Sequence, residues 1–299
     1  MSDINRFLTE TEWADWAQTP IAGDASRRSY RRMTGLSGQT AILMIAPPEL
    51  GEDLRPFIKM ADHLRGFGLT TPEILASDIP NGLAVISDLG PDHYAKWLSD
   101  HSADELTLYQ LAKQTIDVYA AGPLPDGLHE MTPRVATDLM GLYTQFYAPH
   151  ANASAISERM HAALVTVDAP LALSLRDFHA ENLIWRPSQT GLDRVGLLDF
   201  QDALLAHPVY DLVSLLRDAR RDVSPETVEA LTQNIDPAAF AVISVQRNLR
   251  ILGIFARLIY QDGKEKYRAF VPRVQAYVKQ DLSHPILADL APLILPDVP

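Results

Sequence analysis

The hydrophobic period of this chain changes character once, at Asp88-Leu89-Gly90-Pro91, and that change limits the fold more than any single motif. Ahead of it, residues 5–17 carry Phe7, Trp13 and Trp16 at helical spacing and predict a first helix closed by Pro20 and Gly23. Residues 29–33 and 40–46 predict two strands joined through Gly35 and Gly38. Residues 53–67 return to helical period, with Phe57, Met60, Ala61 and Leu64 on one face and Gly66 and Gly68 at the end. A second strand pair, 73–76 and 83–87, turns at Pro80-Asn81-Gly82. Beyond Pro91 three-and-four spacing dominates, near 103–121, 133–147, 156–166, 209–219, 225–233, 237–260 and 265–282. A small mixed front and a large helical back predict an α+β chain of two lobes, residues 1–88 and 89–299, with the Pro-rich end from Pro292 a loosely packed terminus.

The helical back is interrupted at its centre. Residues 183–185 and 195–198 are short apolar runs around a polar 187–193 segment, the pattern of a buried hairpin. Asn182 opens its first strand and Asp199 follows its second, so antiparallel pairing brings their side chains to one end. Asp177 precedes Asn182 by five positions, the spacing of the loop in phosphoryl-transfer enzymes where the Asp handles the acceptor hydroxyl and the Asn holds a metal. An isolated pair at this spacing usually caps a turn. The ordered set Asp177, Asn182, Asp199 and Asp211 is far harder to assemble from turns alone. Transfer of a phosphoryl group is positioning plus electrostatics, with Mg²⁺ neutralising phosphate oxygens, and Mg²⁺ takes oxygen ligands. The residues therefore predict Asp177 as catalytic base and Asn182 and Asp199 as Mg²⁺ ligands. The interval from Asp199 to Asp211 is too short for a long activation segment with a peptide platform, which points to a small acceptor. His179, beside Glu181, reads either as loop packing or as a base or metal ligand, and packing is the better reading. Asp211 opens a helix and reads either as a helix-terminus carboxylate or as a support that orders the loop, the second being expected.

Composition narrows the partners. With 26 basic and 38 acidic side chains the net charge is −12, which disfavours general nucleic-acid binding; it serves solubility, or else an acidic cleft for a cationic substrate. The chain has no cysteine, so disulfides and thiolate metal sites are excluded and a reducing, cytoplasmic setting is expected. The first residues show no basic, then apolar, signal pattern, and no uninterrupted apolar run reaches the roughly 18 residues of a membrane span.

The segments SLRDFHAEN (174–182) and GLLDFQDALLAHPVYDLVSLL (196–216) resemble the aminoglycoside phosphotransferase and choline kinase superfamily. Three others, GDASRRSYRR (23–32), ILMIAPPE (42–49) and VQRNLRILGIFARLIYQDGK (245–264), are similar to bacterial anomeric N-acetylmuramate/N-acetylglucosamine kinases. The resemblance covers nearly the whole chain. It implies a two-lobed protein-kinase-like fold, ATP as donor, the roles above for Asp177, Asn182 and Asp199, and a loop of Gly23, Asp24, Ala25 and Ser26 over the phosphates. It also implies a hinge at Ser87 to Leu89 that meets adenine through backbone atoms. Two departures stand out. The third-strand run Ala41-Ile42-Leu43-Met44 lacks the Lys that meets the phosphates in kinases, and Leu175 stands where many relatives have His. Arg28 and Arg32, which share a strand face with Tyr30, are the candidate replacements, or else form a solvated basic face. For the acceptor, Gln201, Asp202, Arg217 and Arg220 are candidate linings; an Arg there would suit the carboxylate of N-acetylmuramate. Two other readings stay open: an aminoglycoside- or choline-type phosphotransferase, and a pseudokinase that binds a nucleotide or a protein partner.

Overall fold

A computed structural model describes residues 3–9, 11–21 and 27–298. In chain order the elements are α1 (Asp3–Thr9), β1 (Ala17–Ile21), β2 (Ser29–Thr34), β3 (Thr40–Ile45), α2 (Arg55–Gly66), β4 (Ile74–Asp78), β5 (Leu83–Ser87) and α3 (Tyr94–Asp100). There follow α4 (Glu105–Ala120), α5 (Pro133–Leu142), α6 (Ala153–Thr166), β6 (Ala172–Ser174), β7 (Leu183–Trp185), β8 (Val195–Leu197), β9 (Leu204–Ala206) and α7 (Tyr210–Leu216). The last are α8 (Pro225–Thr232), α9 (Pro237–Tyr260), α10 (Val271–Asp281) and α11 (Ala291–Ile294). The chain divides into two compact units, one of Met1–Tyr94 with Asn182–Asp202, the other of Ala95–Glu181 with Ala203–Pro299. The first unit thus runs past residue 88 and takes in the β7–β8 hairpin, which sequence order alone assigned to the helical part. Backbone bonds account for this. Trp185 N–H donates to Asp92 O at 2.7 Å and Leu197 N–H to Thr70 O at 2.8 Å.

The first unit is built on an antiparallel sheet in the order β1-β2-β3-β5-β4. Central β3 is apolar on both faces. Ala41 and Leu43 join Met33, Val85, Leu8 and Trp13 in a core cluster on one side. Ile42 and Met44 face the other side, where β2 supplies their cross-strand partners: Tyr30 pairs with Met44 and Arg32 with Ile42. The expected helix over 5–17 is a correction. α1 stops at Thr9, and residues 17–21 form an edge strand on which Pro20, with no N–H to give, pairs with Arg31.

The second unit is helical around α9. Arginine and polar residues interrupt its apolar sequence, yet it is long and apolar enough to cross a bilayer by length and composition; 83% of its most apolar window is buried within the protein. Gly253 is what lets it close on the end of α5: a Cβ there would fall 2.3 Å from the Leu142 carbonyl carbon. The expected helix over 133–147 ends at Leu142 and widens into a π turn, Tyr143–Tyr147, at this crossing. The expected helix over 265–282 starts with a 3₁₀ turn, Glu265–Phe270, because Pro272 sets the first turn of α10. The Pro-rich end is packed, not loose. Ile294 and Val298 are buried, and Asp297 meets His150 Nε2 at 2.5 Å.

Candidate active site

In the first unit the β7–β8 hairpin pairs Leu183 with Leu197, so Asn182 and Asp199 flank its open end. Leu198 N–H donates to Asn182 O at 3.0 Å, and Asn182 Nδ2 lies 3.3 Å from Asp199 Oδ2. Asp199 holds a left-handed backbone, φ 58°, a conformation a non-glycine residue keeps only when its surroundings impose it. Phe200 imposes it: fully buried, it stacks on Phe57 of α2 with centroids 5.0 Å apart. Gln201 Nε2 donates to Asp199 Oδ1 at 2.7 Å, while Gln201 Oε1 is buried with no hydrogen-bond partner. An Asp carboxylate, an Asn amide and an orphaned amide oxygen at one hairpin end fit a hard, oxygen-seeking cation or its bound water. Gln201 thus belongs to the Asp199 cluster; Asp202 beyond it is exposed.

The same unit carries the candidate nucleotide residues. Gly23, Asp24, Ala25 and Ser26 lie outside the described residues. Arg28 is not on a solvated face. Its Nε donates to Glu52 at 2.7 Å, with side chains 9% and 16% exposed, and Glu52 lies just ahead of α2. Tyr30 accepts a hydrogen bond from Arg28 and has Asp199 among its charged neighbours; burial, the largest influence, raises its hydroxyl pKa. Arg32 holds Asp88 through bonds of 2.7 and 3.3 Å, and Asp88 Oδ1 also accepts Gly90 N–H at 3.0 Å, so Arg32 fixes the turn over residues 88–90. Ser87 gives its N–H to Glu73 O and accepts Glu73 N–H on its hydroxyl. Leu89 packs over β8: a Cβ on Gly196 would come within 2.9 Å of Leu89 Cδ1.

In the second unit the loop before Asp177 is hung on Asp211, which is 2% exposed. Its Oδ1 accepts Ser174 Oγ at 2.7 Å and Arg176 N–H at 3.0 Å; its Oδ2 accepts Leu175 N–H and Tyr119 Oη, each at 2.6 Å. Burial raises the Asp211 carboxyl pKa against the pull of these bonds. Arg176 is held at φ 70° and Asp177 N–H donates to Leu175 O at 2.8 Å, so a tight, fully bonded turn projects the Asp177 side chain. His179 is buried, its Nε2 3.4 Å from Arg220 Nη1; burial lowers its pKa first, followed by Asp218 raising it and Arg220 lowering it. Its surroundings are those of a packed side chain, and its burial disfavours the protonated form.

Arg217 is a correction. Expected to line the acceptor site, it is 5% exposed and makes a bidentate pair with Asp281 at 2.9 and 2.7 Å, between Phe240 and Tyr277. The expectation missed Arg247 and Arg250 on α9. Arg247 Nη2 donates to Ser214 Oγ at 2.7 Å, and Ser214 Oγ donates to Arg176 O at 3.3 Å. Arg250 has Tyr210, Arg176, Asp177 and Arg247 among its ionisable neighbours. The one available signal was arginine at i and i+3 inside a long, largely apolar helix.

Residues 17–241 match the model of the phosphotransferase enzyme family. The chain is 34% identical to an N-acetylmuramate/N-acetylglucosamine kinase of Caulobacter vibrioides over 95% of its own length and 93% of the other. It is 32% identical to the Pseudomonas aeruginosa protein of the same name, over 98% and 97%. Among solved structures it resembles a choline/ethanolamine kinase family protein from Mesorhizobium loti, at a TM-score of 0.66, 15% identity, and coverage of 96% and 95%. It also resembles a thermostable mutant of the aminoglycoside phosphotransferase APH(4)-Ia with ADP and hygromycin B, at a TM-score of 0.62, 14% identity, and coverage of 95% and 100%. These likenesses establish the two-lobed kinase-like fold.

Proposed function

The chain belongs to the phosphotransferase enzyme family and is a small-molecule kinase, and from that premise we propose that it phosphorylates the anomeric hydroxyl of N-acetylmuramate or N-acetylglucosamine at the expense of ATP. The observation that carries the acceptor is the similarity at 34% and 32% over nearly the full length to kinases of that name.

In this reading Asp177 accepts the proton of the acceptor hydroxyl as its oxygen bonds to the γ-phosphorus and the bond to the ADP oxygen breaks. Asp211 acts earlier, by holding the turn that aims Asp177. Asn182 and Asp199 would hold Mg²⁺, which when bound would supply positive charge to the phosphate oxygens. Ser87 and Leu89 stand beside the adenine, through backbone atoms. Arg28 takes over the phosphate contact of the missing third-strand Lys: it immediately precedes β2, donates to the Tyr30 side chain that pairs beside Met44, is paired to an acid ahead of α2, and shares with Asp199 the neighbourhood of Tyr30. Arg32, engaged with Asp88, acts on the hinge instead.

Transfer from ATP to N-acetylmuramate, N-acetylglucosamine, choline and kanamycin, assayed side by side, tests the acceptor. Turnover confined to the two sugars is expected. Preference for kanamycin or choline would overturn the acceptor, and an Asp177→Ala enzyme with undiminished turnover would overturn the base.

A further inference from the structure

Within the second unit, four arginines converge on the turn that carries Asp177. Arg176 precedes it, Arg220 reaches His179, and Arg247 and Arg250 stand three residues apart on α9, hence on one helix face. The carboxylates among them are Asp177 and the buried Asp218, whose Oδ1 accepts the Arg220 backbone N–H at 2.8 Å and whose Oδ2 meets no donor, so one acid inside the cluster offsets part of its positive charge. Neither Arg247 nor Arg250 forms an ion pair among the described residues. Arg247 is 5% exposed with a buried Nη1 that meets no acceptor, and Arg250 Nε is likewise buried without one. Like charges three apart on a helix repel, and a guanidinium withdrawn from water with an empty donor is costly. Arg217, another buried arginine of the same unit, has by contrast a bidentate aspartate. Arg247 and Arg250 have been given none.

We propose that Arg250, backed by Arg247, forms an anion subsite beside Asp177 that receives a carboxylate on the acceptor. The inference rests on the acceptor reading above and deepens it. The two candidate sugars differ in this group: N-acetylmuramate carries a lactyl carboxylate and N-acetylglucosamine does not. The planar donor fork of Arg250 suits a carboxylate, and Arg247 raises the local positive potential. The other anion that the reaction brings to this turn is the phosphoryl group in transit, which is common to both sugars, so comparing the sugars separates the two sources.

The test compares wild type, Arg250→Gln and Arg250→Lys in kcat and KM for both sugars, with calorimetric binding of each sugar in the absence of nucleotide. For Arg250→Gln we expect kcat/KM for N-acetylmuramate to fall about 10- to 100-fold further than for N-acetylglucosamine, as a charge-assisted contact predicts, chiefly through KM and with matching loss of binding. Arg250→Lys should recover part of the difference. Equal losses for both sugars, carried in kcat, would assign the anion to the phosphoryl group and overturn the proposal; no change for either would also overturn it. If wild type phosphorylates neither sugar, the acceptor reading falls by itself. The subsite is then judged with D-lactate: saturable binding lost in Arg250→Gln upholds it, and binding unaltered or absent overturns it.

Discussion

Replacing Arg28 by Ala should damage nucleotide binding, and the structure sets the scale. A charge-assisted contact to a phosphate contributes roughly 1.5–3 kcal/mol, which corresponds to about a 10- to 150-fold rise in the ATP dissociation constant. The variant also leaves the carboxylate of Glu52, only 16% exposed, without its guanidinium, adding negative charge near the phosphates. The loss should therefore fall at the upper end, and Glu52→Gln should soften it. The sheet supplies a rescue. Met44 pairs with Tyr30 across β2 and β3, so it lies beside the side chain to which Arg28 donates. Arg28→Ala combined with Met44→Lys returns a cation to the strand where kinases ordinarily keep it, and should regain at least tenfold of the lost affinity. Titration of a fluorescent ATP analogue into each folded variant, with and without Mg²⁺, reads this directly. An Arg28→Ala protein that melts normally and binds the analogue within twofold of wild type would refute the reasoning. So would a loss that Met44→Lys deepens without altering the melting temperature.

Asp211→Ala strands four donors that now converge on one carboxylate; it should lower stability by about 3–5 kcal/mol and turnover with it, read by urea unfolding and steady-state kinetics. Arg217→Met leaves Asp281 as a buried unpaired charge and should cost about 3–5 kcal/mol, while the KM of the surviving enzyme for sugar stays unchanged. A raised KM there would restore Arg217 to the acceptor site. His179, its pKa held below 6.5 by burial, binds fewer protons folded than unfolded, so it removes stability as pH falls from 6.5 toward its folded value. His179→Asn should flatten that part of the curve of unfolding free energy against pH between 7 and 5; a variant that keeps the wild-type slope contradicts it. Asp199→Ala should abolish Mg²⁺-dependent tightening of nucleotide binding while retaining the Mg²⁺-independent component, measured in the same fluorescence titration.

What was legible in the sequence was whatever depends on neighbours in the chain. β5 and α9 match the expected 83–87 and 237–260, because the apolar period of each runs from end to end with Pro or Gly at its borders. The meeting of Asn182 and Asp199 followed from antiparallel pairing alone. The failures are long-range or short. β6 and β9 have three residues each and pair across a span that includes the whole β7–β8 hairpin, so neither carries a period to detect. β1 was hidden by Pro20 and by an almost fully exposed edge. The fates of Arg28, Arg32 and Arg217 depended on acids 24, 56 and 64 positions away, and no local pattern distinguishes a paired arginine from a ligand-binding one. For the same reason Arg247 and Arg250 were passed over: inside an apolar run they read as interruptions, and only their missing partners mark them.

The crossing at Gly253 restricts how acceptor preference can be re-engineered in this chain. With the α9 backbone already against the end of α5, the helix cannot be displaced toward that neighbour to enlarge or reduce the space before Arg250. Libraries aimed at new sugars should therefore vary side-chain length and charge at 247 and 250 and leave residue 253 untouched, since a bulkier residue there would move both arginines at once and confuse a change of register with a change of chemistry.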